Sequence, residues 1–148
     1  MNFSRLLRQG RLKRHKTSKK EIQSLLRIAE RDIADARVKG LSADRKFATA
    51  YSAVLQLAII TLYCEGYRPA GMGHHFTVFQ TLRETMGPQF HELVDYFDAC
   101  RIKRNITDYD RAGEISTKEA AELLREAKKF KREVLRWVGQ NYPEYLAN

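Results

Sequence analysis

The chain has 148 residues, 43% hydrophobic and 30% charged, with a formal net charge of +9. A chain of this length buries roughly two-thirds of its unfolded surface, so one core is expected and intrinsic disorder is excluded. The longest apolar run, Leu57 to Ile60, is four residues. A bilayer span needs about 18, so no membrane span is expected. The N-terminus lacks the apolar core of a secretory signal, and the expected location is the cytoplasm.

The charge is concentrated at one end. Residues 1–20 hold eight of the 27 basic side chains, and no acid precedes Glu21, which leaves the rest of the chain nearly balanced. Residues 1–17 therefore read as a basic N-terminal arm, and 18–148 as a single helical-bundle domain. Such an arm attracts phosphate backbones or anionic lipid by Coulomb attraction and counterion release. A solvated terminus and an organelle transit peptide are the alternatives. Cys64 and Cys100 stand far apart, with no second cysteine or histidine at metal-binding spacing, and read as buried thiols in a reducing compartment. No metal and no cofactor is expected.

The spacing of apolar residues predicts five helices in chain order. Ser18 and Glu21 fit a capping box, and Ile22, Leu25, Leu26, Ala29, Ile33 and Ala36 draw one stripe at a period of 3.6, ending near Gly40. Ser42 caps a second helix from about 43 to 65. It is the most apolar segment and is expected to be central, with Phe47, Tyr51, Val54, Leu55, Ala58 and Leu62 along one stripe. Gly66 and the run Tyr67 to Gly73 mark a loop.

A shorter helix from about 75 to 86 follows, stopped by Gly87-Pro88. The fourth begins near Gln89 and lays Phe90, Leu93, Val94, Phe97 and Cys100 along one face, which brings Arg101 and Arg104 next to an apolar seam. Gly113 breaks the chain, Ser116 and Glu119 repeat the capping-box spacing, and the last helix opposes an apolar face to a row of lysines and arginines before Gly139 and Pro143. The aromatics at helical spacing, Phe47, Tyr51, Phe76, Phe79, Phe90, Phe97 and Phe130, read as core. No period-two alternation appears. The expected fold is all-α, a five-helix antiparallel up-and-down bundle with no sheet.

The stretch Ala99 to Arg111, A-C-R-I-K-R-N-I-T-D-Y-D-R, carries more polar capacity than a helix end needs. Two arginines at the edge of a core stripe want acidic, aromatic or phosphate partners. The alternative for Arg104 and Asp108 is an intrahelical ion pair worth a few tenths of a kcal/mol. His74 and His75 follow Gly71 and Gly73 at a helix start, where backbone amides favour anions, and form a second candidate position. No P-loop, dinucleotide fingerprint, zinc cluster, H-E-x-x-H or serine-hydrolase elbow is present.

The order of these elements, with C-E-G-Y-R-P closing the second helix, His74-His75 opening the third and R-x-x-R-N-x-x-x-Y-D before the last, resembles the HEPN superfamily of nucleotide-binding and RNA-processing helical domains over residues 20–138. The resemblance implies an RNA- or nucleotide-binding domain, a homodimer, and a toxin–antitoxin or RNA-processing setting, with a minimal nucleotidyltransferase as partner protein. It places the nucleic-acid- or nucleotide-binding residues at Arg101, Arg104, Asn105, Asp108 and Tyr109. In that superfamily an arginine followed four to six residues later by histidine forms a metal-independent ribonuclease site. Here no histidine follows Arg101; the four are His15, His74, His75 and His91. A tyrosine titrating near pH 10 is a poor base for a 2′-hydroxyl, so no catalytic residue is assigned. Two other readings stay open: a catalytically inert homodimeric interaction module, and a ribonuclease toxin using Tyr109 or a remote His74 or His75 as proton donor.

Overall fold

A computed structural model describes residues 3–109 and 114–146, with only the helical backbone over 106–109. In chain order the elements are α1 (Ser4–Arg8), β1 (Leu12–Arg14), α2 (Lys19–Ala36), α3 (Ala43–Cys64), β2 (Tyr67–Pro69), α4 (His74–Met86), α5 (His91–Tyr109) and α6 (Thr117–Asn141). Single 3-10 turns lie at Pro88–Phe90 and Pro143–Tyr145.

The five long helices stand where capping and periodicity put them. The Ser18, Ser42 and Ser116 hydroxyls each accept a hydrogen bond from the amide three residues on, which satisfies one of the orphan donors of a helix start. Only Ser116 completes a capping box, with Glu119 accepting from its amide at 3.0 Å. The Glu21 carboxylate turns instead to His15 Nε2 at 2.6 Å and Thr17 Oγ1 at 2.7 Å. The last helix runs through Gly139 to Asn141, since nothing at Gly139 demands a left-handed backbone.

α3 lies at the centre, packed chiefly against α2 and α6 and also against α4 and α5. No charge interrupts it between Lys46 and Glu65, and by length and composition it would pass for a membrane span. Most of that stretch is buried inside the bundle, as the core helix of a folded domain requires. A column of rings ties four helices together: Tyr51 of α3, Phe79 of α4, Phe97 of α5 and Phe130 of α6, with successive centroids 6.1, 6.3 and 5.0 Å apart. All four are fully buried. Cys64 and Cys100 are buried free thiols, and burial pushes them up to about 12 and about 11, so both stay protonated and inert.

Four expectations need correction. The chain does contain a sheet, a two-stranded antiparallel ribbon in which Leu12 faces Pro69, Lys13 faces Arg68 and Arg14 faces Tyr67. Strands of three residues are too short to show alternation in the sequence. A sixth helix, α1, precedes the five expected. The basic segment also folds onto the body from Phe3 onward: Phe3, Leu6 and Leu12 are buried, and the Phe3 ring meets Tyr67 edge-on at 4.9 Å. Those three apolar side chains anchor α1 and β1, while Arg5 and Arg8 between them are exposed. Finally, Phe76 is 41% exposed and does not belong to the core, because it sits in the first turn of α4, beyond the reach of the ring column.

Candidate nucleic-acid interface

The ring column ends at a polar cluster. Tyr51 is its last member, and its hydroxyl lies 3.1 Å from Nδ1 of His75, in the first turn of α4. Across the seam, α5 presents Arg101 and Arg104 three residues apart, so both fall on one side of the helix. The Arg104 guanidinium carbon stands 5.5 Å from the centroid of the Tyr51 ring. That of Arg101 stands 5.4 Å from the Phe76 ring, while its Nε donates to Asp98 Oδ1 at 2.7 Å. Both arginines are half-buried. The aromatic and acidic partners expected for them are therefore present: two rings and one carboxylate.

A third guanidinium arrives from the N-terminal segment. Arg11 lies 5.2 Å from the same Phe76 ring, and its Nη2 donates to Thr77 Oγ1 and Gln80 Oε1, both at 3.0 Å. Nothing in the sequence pairs Arg11 with α4. Only the ribbon, which carries residue 11 back across the start of that helix, brings the two together. Gly71 makes the crossing close: a Cβ there would sit 3.0 Å from the Gly10 carbonyl oxygen, and its φ of +72° suits glycine.

The electrostatics follow from this packing. The His75 imidazole is held below its ordinary value, first by burial and then by repulsion from Arg104, His74 and Arg101. It is neutral at pH 7, with one ring nitrogen a donor and the other an acceptor. Burial pushes the Tyr51 phenol well above the ordinary tyrosine range, the two arginines pulling the other way, so the hydroxyl keeps its proton and can serve either tautomer of His75. The cluster thus offers guanidinium donors suited to phosphate, a neutral imidazole and a phenol, side by side.

A pH effect follows. Unfolded, His75 titrates near pH 6.5; folded, it titrates lower. Its contribution to stability is fully present above about pH 6.5 and is lost as pH falls through the lowered folded value, because the unfolded chain then binds the extra proton. His75→Gln is expected to flatten this part of the profile, as measured by thermal melts of both proteins between about pH 5 and 8.

Of the residues singled out from the sequence, Arg101, Arg104 and His75 come together. His74 is exposed and close enough to repel charge on its neighbour. Asn105 is exposed on α5. Asp108 and Tyr109 fall in the last turn of α5, and their side chains lie outside the described residues, as does the break at Gly113. Tyr51, Phe76, Asp98 and Arg11 were not singled out as site residues. An Arg-plus-aromatic count cannot find them, since they come from three helices and the turn before β1.

Clefts lie away from this cluster: one of about 420 Å³ between α2 and α6, lined by Ile33, Arg37, Lys128, Lys131 and Arg132 among others, and one of about 380 Å³ between α5 and α6, lined by Glu92, Tyr96 and Glu122 among others. Among the described residues no group of three or more His, Cys, Asp or Glu side chains converges to hold a metal. Compared with known proteins, the chain matches no family model, no curated protein and no solved structure.

Proposed function

We propose that this is a HEPN-like helical domain that binds RNA or a nucleotide at the α4–α5 seam, as a homodimer in an RNA-processing or toxin–antitoxin setting. The observation that carries this reading is the pairing of Arg101 and Arg104, both half-buried over aromatic rings and flanked by His75 and Arg11. Rings beneath the guanidiniums fix their planes, and a guanidinium so oriented matches the geometry of a phosphate. Asn105, on the same helix, is exposed and can hydrogen-bond a ribose or base. The test is fluorescence anisotropy of a labelled single-stranded oligouridylate of about 16 nucleotides, across a salt series. Affinity that falls steadily with salt supports the reading, and absence of binding at low ionic strength refutes it.

One observation favours a second reading, a metal-independent ribonuclease. His75 supplies from α4 the imidazole that is missing after Arg101, and it is neutral beside two arginines. In the tautomer whose Nδ1–H donates to the Tyr51 hydroxyl, His75 Nε2 can take the proton of a ribose 2′-hydroxyl; O2′ then attacks phosphorus, the P–O5′ bond breaks and the 5′-oxygen takes a proton from water, giving a 2′,3′-cyclic phosphate and a 5′-hydroxyl. Positioned acid–base groups contribute about 10²–10⁴-fold in rate, so His75→Gln is expected to lower cleavage of the oligouridylate by at least about a hundredfold while leaving its affinity intact. Cleavage unaffected by that substitution, or no cleavage by the unaltered protein, removes the second reading and leaves the binding one.

A further inference from the structure

Lys13 and Arg68 face each other directly across the β1–β2 ribbon. Ladder bonds on either side, from the Ala70 amide to the Arg11 carbonyl and from the His15 amide to the Gly66 carbonyl, both 2.9 Å, fix the register. Like charges opposite one another destabilise a strand pair. Both side chains are exposed, and among the described residues neither forms an ion pair with an acid. A repulsive pair at the best-defined position of so short a ribbon is a place where an anion would relieve strain.

Arg11 stands just before β1, two residues from Lys13, and its carbonyl accepts from the Ala70 amide. Arg11 shares the Phe76 ring with Arg101. The cations therefore run from α5 across Phe76 and Arg11 to the Lys13–Arg68 pair of the ribbon. A mononucleotide would use one end of such a row. On the other face of the ribbon Leu12 is buried and Arg14 lies over the Tyr67 ring at 5.8 Å.

We propose that Lys13 and Arg68, with Arg11, form a second phosphate-binding patch that continues the Arg101–Arg104 site and holds the backbone of a single-stranded RNA over several phosphates. The proposal rests on the reading of that site as a phosphate binder, and narrows its ligand from RNA or nucleotide to an RNA strand. An anionic membrane surface would also meet the charge. It would leave Met72 as the main exposed apolar side chain nearby, since Phe76 is occupied by two guanidiniums, and one such side chain is a weak anchor.

The experiment compares the unaltered protein with the Lys13→Gln, Arg68→Gln double variant, using the same oligouridylate, uridine 5′-monophosphate, and phosphatidylserine vesicles. The variant is expected to bind the monophosphate as before and to melt no earlier, since a repulsion has been removed. Its affinity for the oligouridylate should fall roughly 10- to 30-fold at ~0.1 M salt, with the log–log salt slope shallower by about 1.4, the value for two lost phosphate contacts on a single strand. An unchanged slope overturns the patch while leaving the Arg101–Arg104 site standing. Loss of monophosphate binding together with a lower melting temperature also overturns it, by showing that the pair serves the fold. Vesicle binding in place of RNA binding overturns it in favour of a membrane surface. Failure of the unaltered protein to bind either nucleotide probe ends the site reading and the patch together.

Discussion

Phe97→Ala is expected to destabilise the fold by about 3–5 kcal/mol, the cost of emptying a fully packed aromatic site. Phe97 is completely inaccessible and lies 5.0 Å from Phe130, 5.7 Å from Tyr96 and 6.3 Å from Phe79 by ring centroids. It is the α5 member of the ring column, so its removal loosens the contact that sets α5, and with it Arg101 and Arg104, against α3 and α4. Domains of this size have total stabilities of about 5–15 kcal/mol, and each kcal/mol shifts the melting temperature by about 2–4 °C. A fall of roughly 10 °C or more is therefore expected in calorimetry. Phe76→Ala is the internal contrast: at 41% exposure it should cost about 1 kcal/mol or less, while altering the surroundings of Arg101 and Arg11. Equal losses for the two would contradict the assignment of one ring to the core and the other to the site.

The second large effect belongs to the arginine pair. Arg101→Gln with Arg104→Gln keeps much of the side-chain packing and the hydrogen-bonding capacity but removes both charges. Hydrogen bonds to charged groups are worth about 1.5–3 kcal/mol each, so loss of two is expected to weaken oligouridylate binding by about a hundredfold or more. The salt slope should become shallower by about 1.4. The fold should survive, because the ring column does not depend on either charge. The loss of the Arg104 contact with Tyr51 costs about 0.5–2 kcal/mol, which a thermal melt reads separately. Anisotropy on the folded variant then separates a binding role from the alternative of an inert interaction module, in which stability or association falls and RNA affinity does not.

The helices were legible because their signals are local. A serine three residues before a glutamate, an apolar stripe at a period of 3.6 and a Gly-Pro stop each act within a few turns, and the helix ends agree with them to within a few residues. The ribbon was not legible, since β1 and β2 hold three residues each and are paired across a long sequence separation by α2 and α3. The same separation hid most of the site. That Arg101 and Arg104 edge a seam could be read from Phe97 and Cys100 one turn earlier. That the seam is completed by His75, Tyr51 and Arg11 could not, because each contact joins residues from different elements. The charge count, in turn, separated residues 1–17 from the body, whereas Phe3, Leu6 and Leu12, three isolated apolar residues among basic ones, fix that segment in place. Net charge reports on attraction and solubility, and the few buried side chains decide where a segment lies.

The account turns on Arg101 and Arg104 meeting a phosphate directly. The measurement closest to that contact is a nuclear magnetic resonance titration of the arginine Nε–Hε signals with the oligouridylate. Shifts in the Arg101 and Arg104 signals that saturate with the binding isotherm are the predicted result. Binding that leaves both signals unmoved while shifting Arg37 and Arg132, in the groove between α2 and α6, would contradict it.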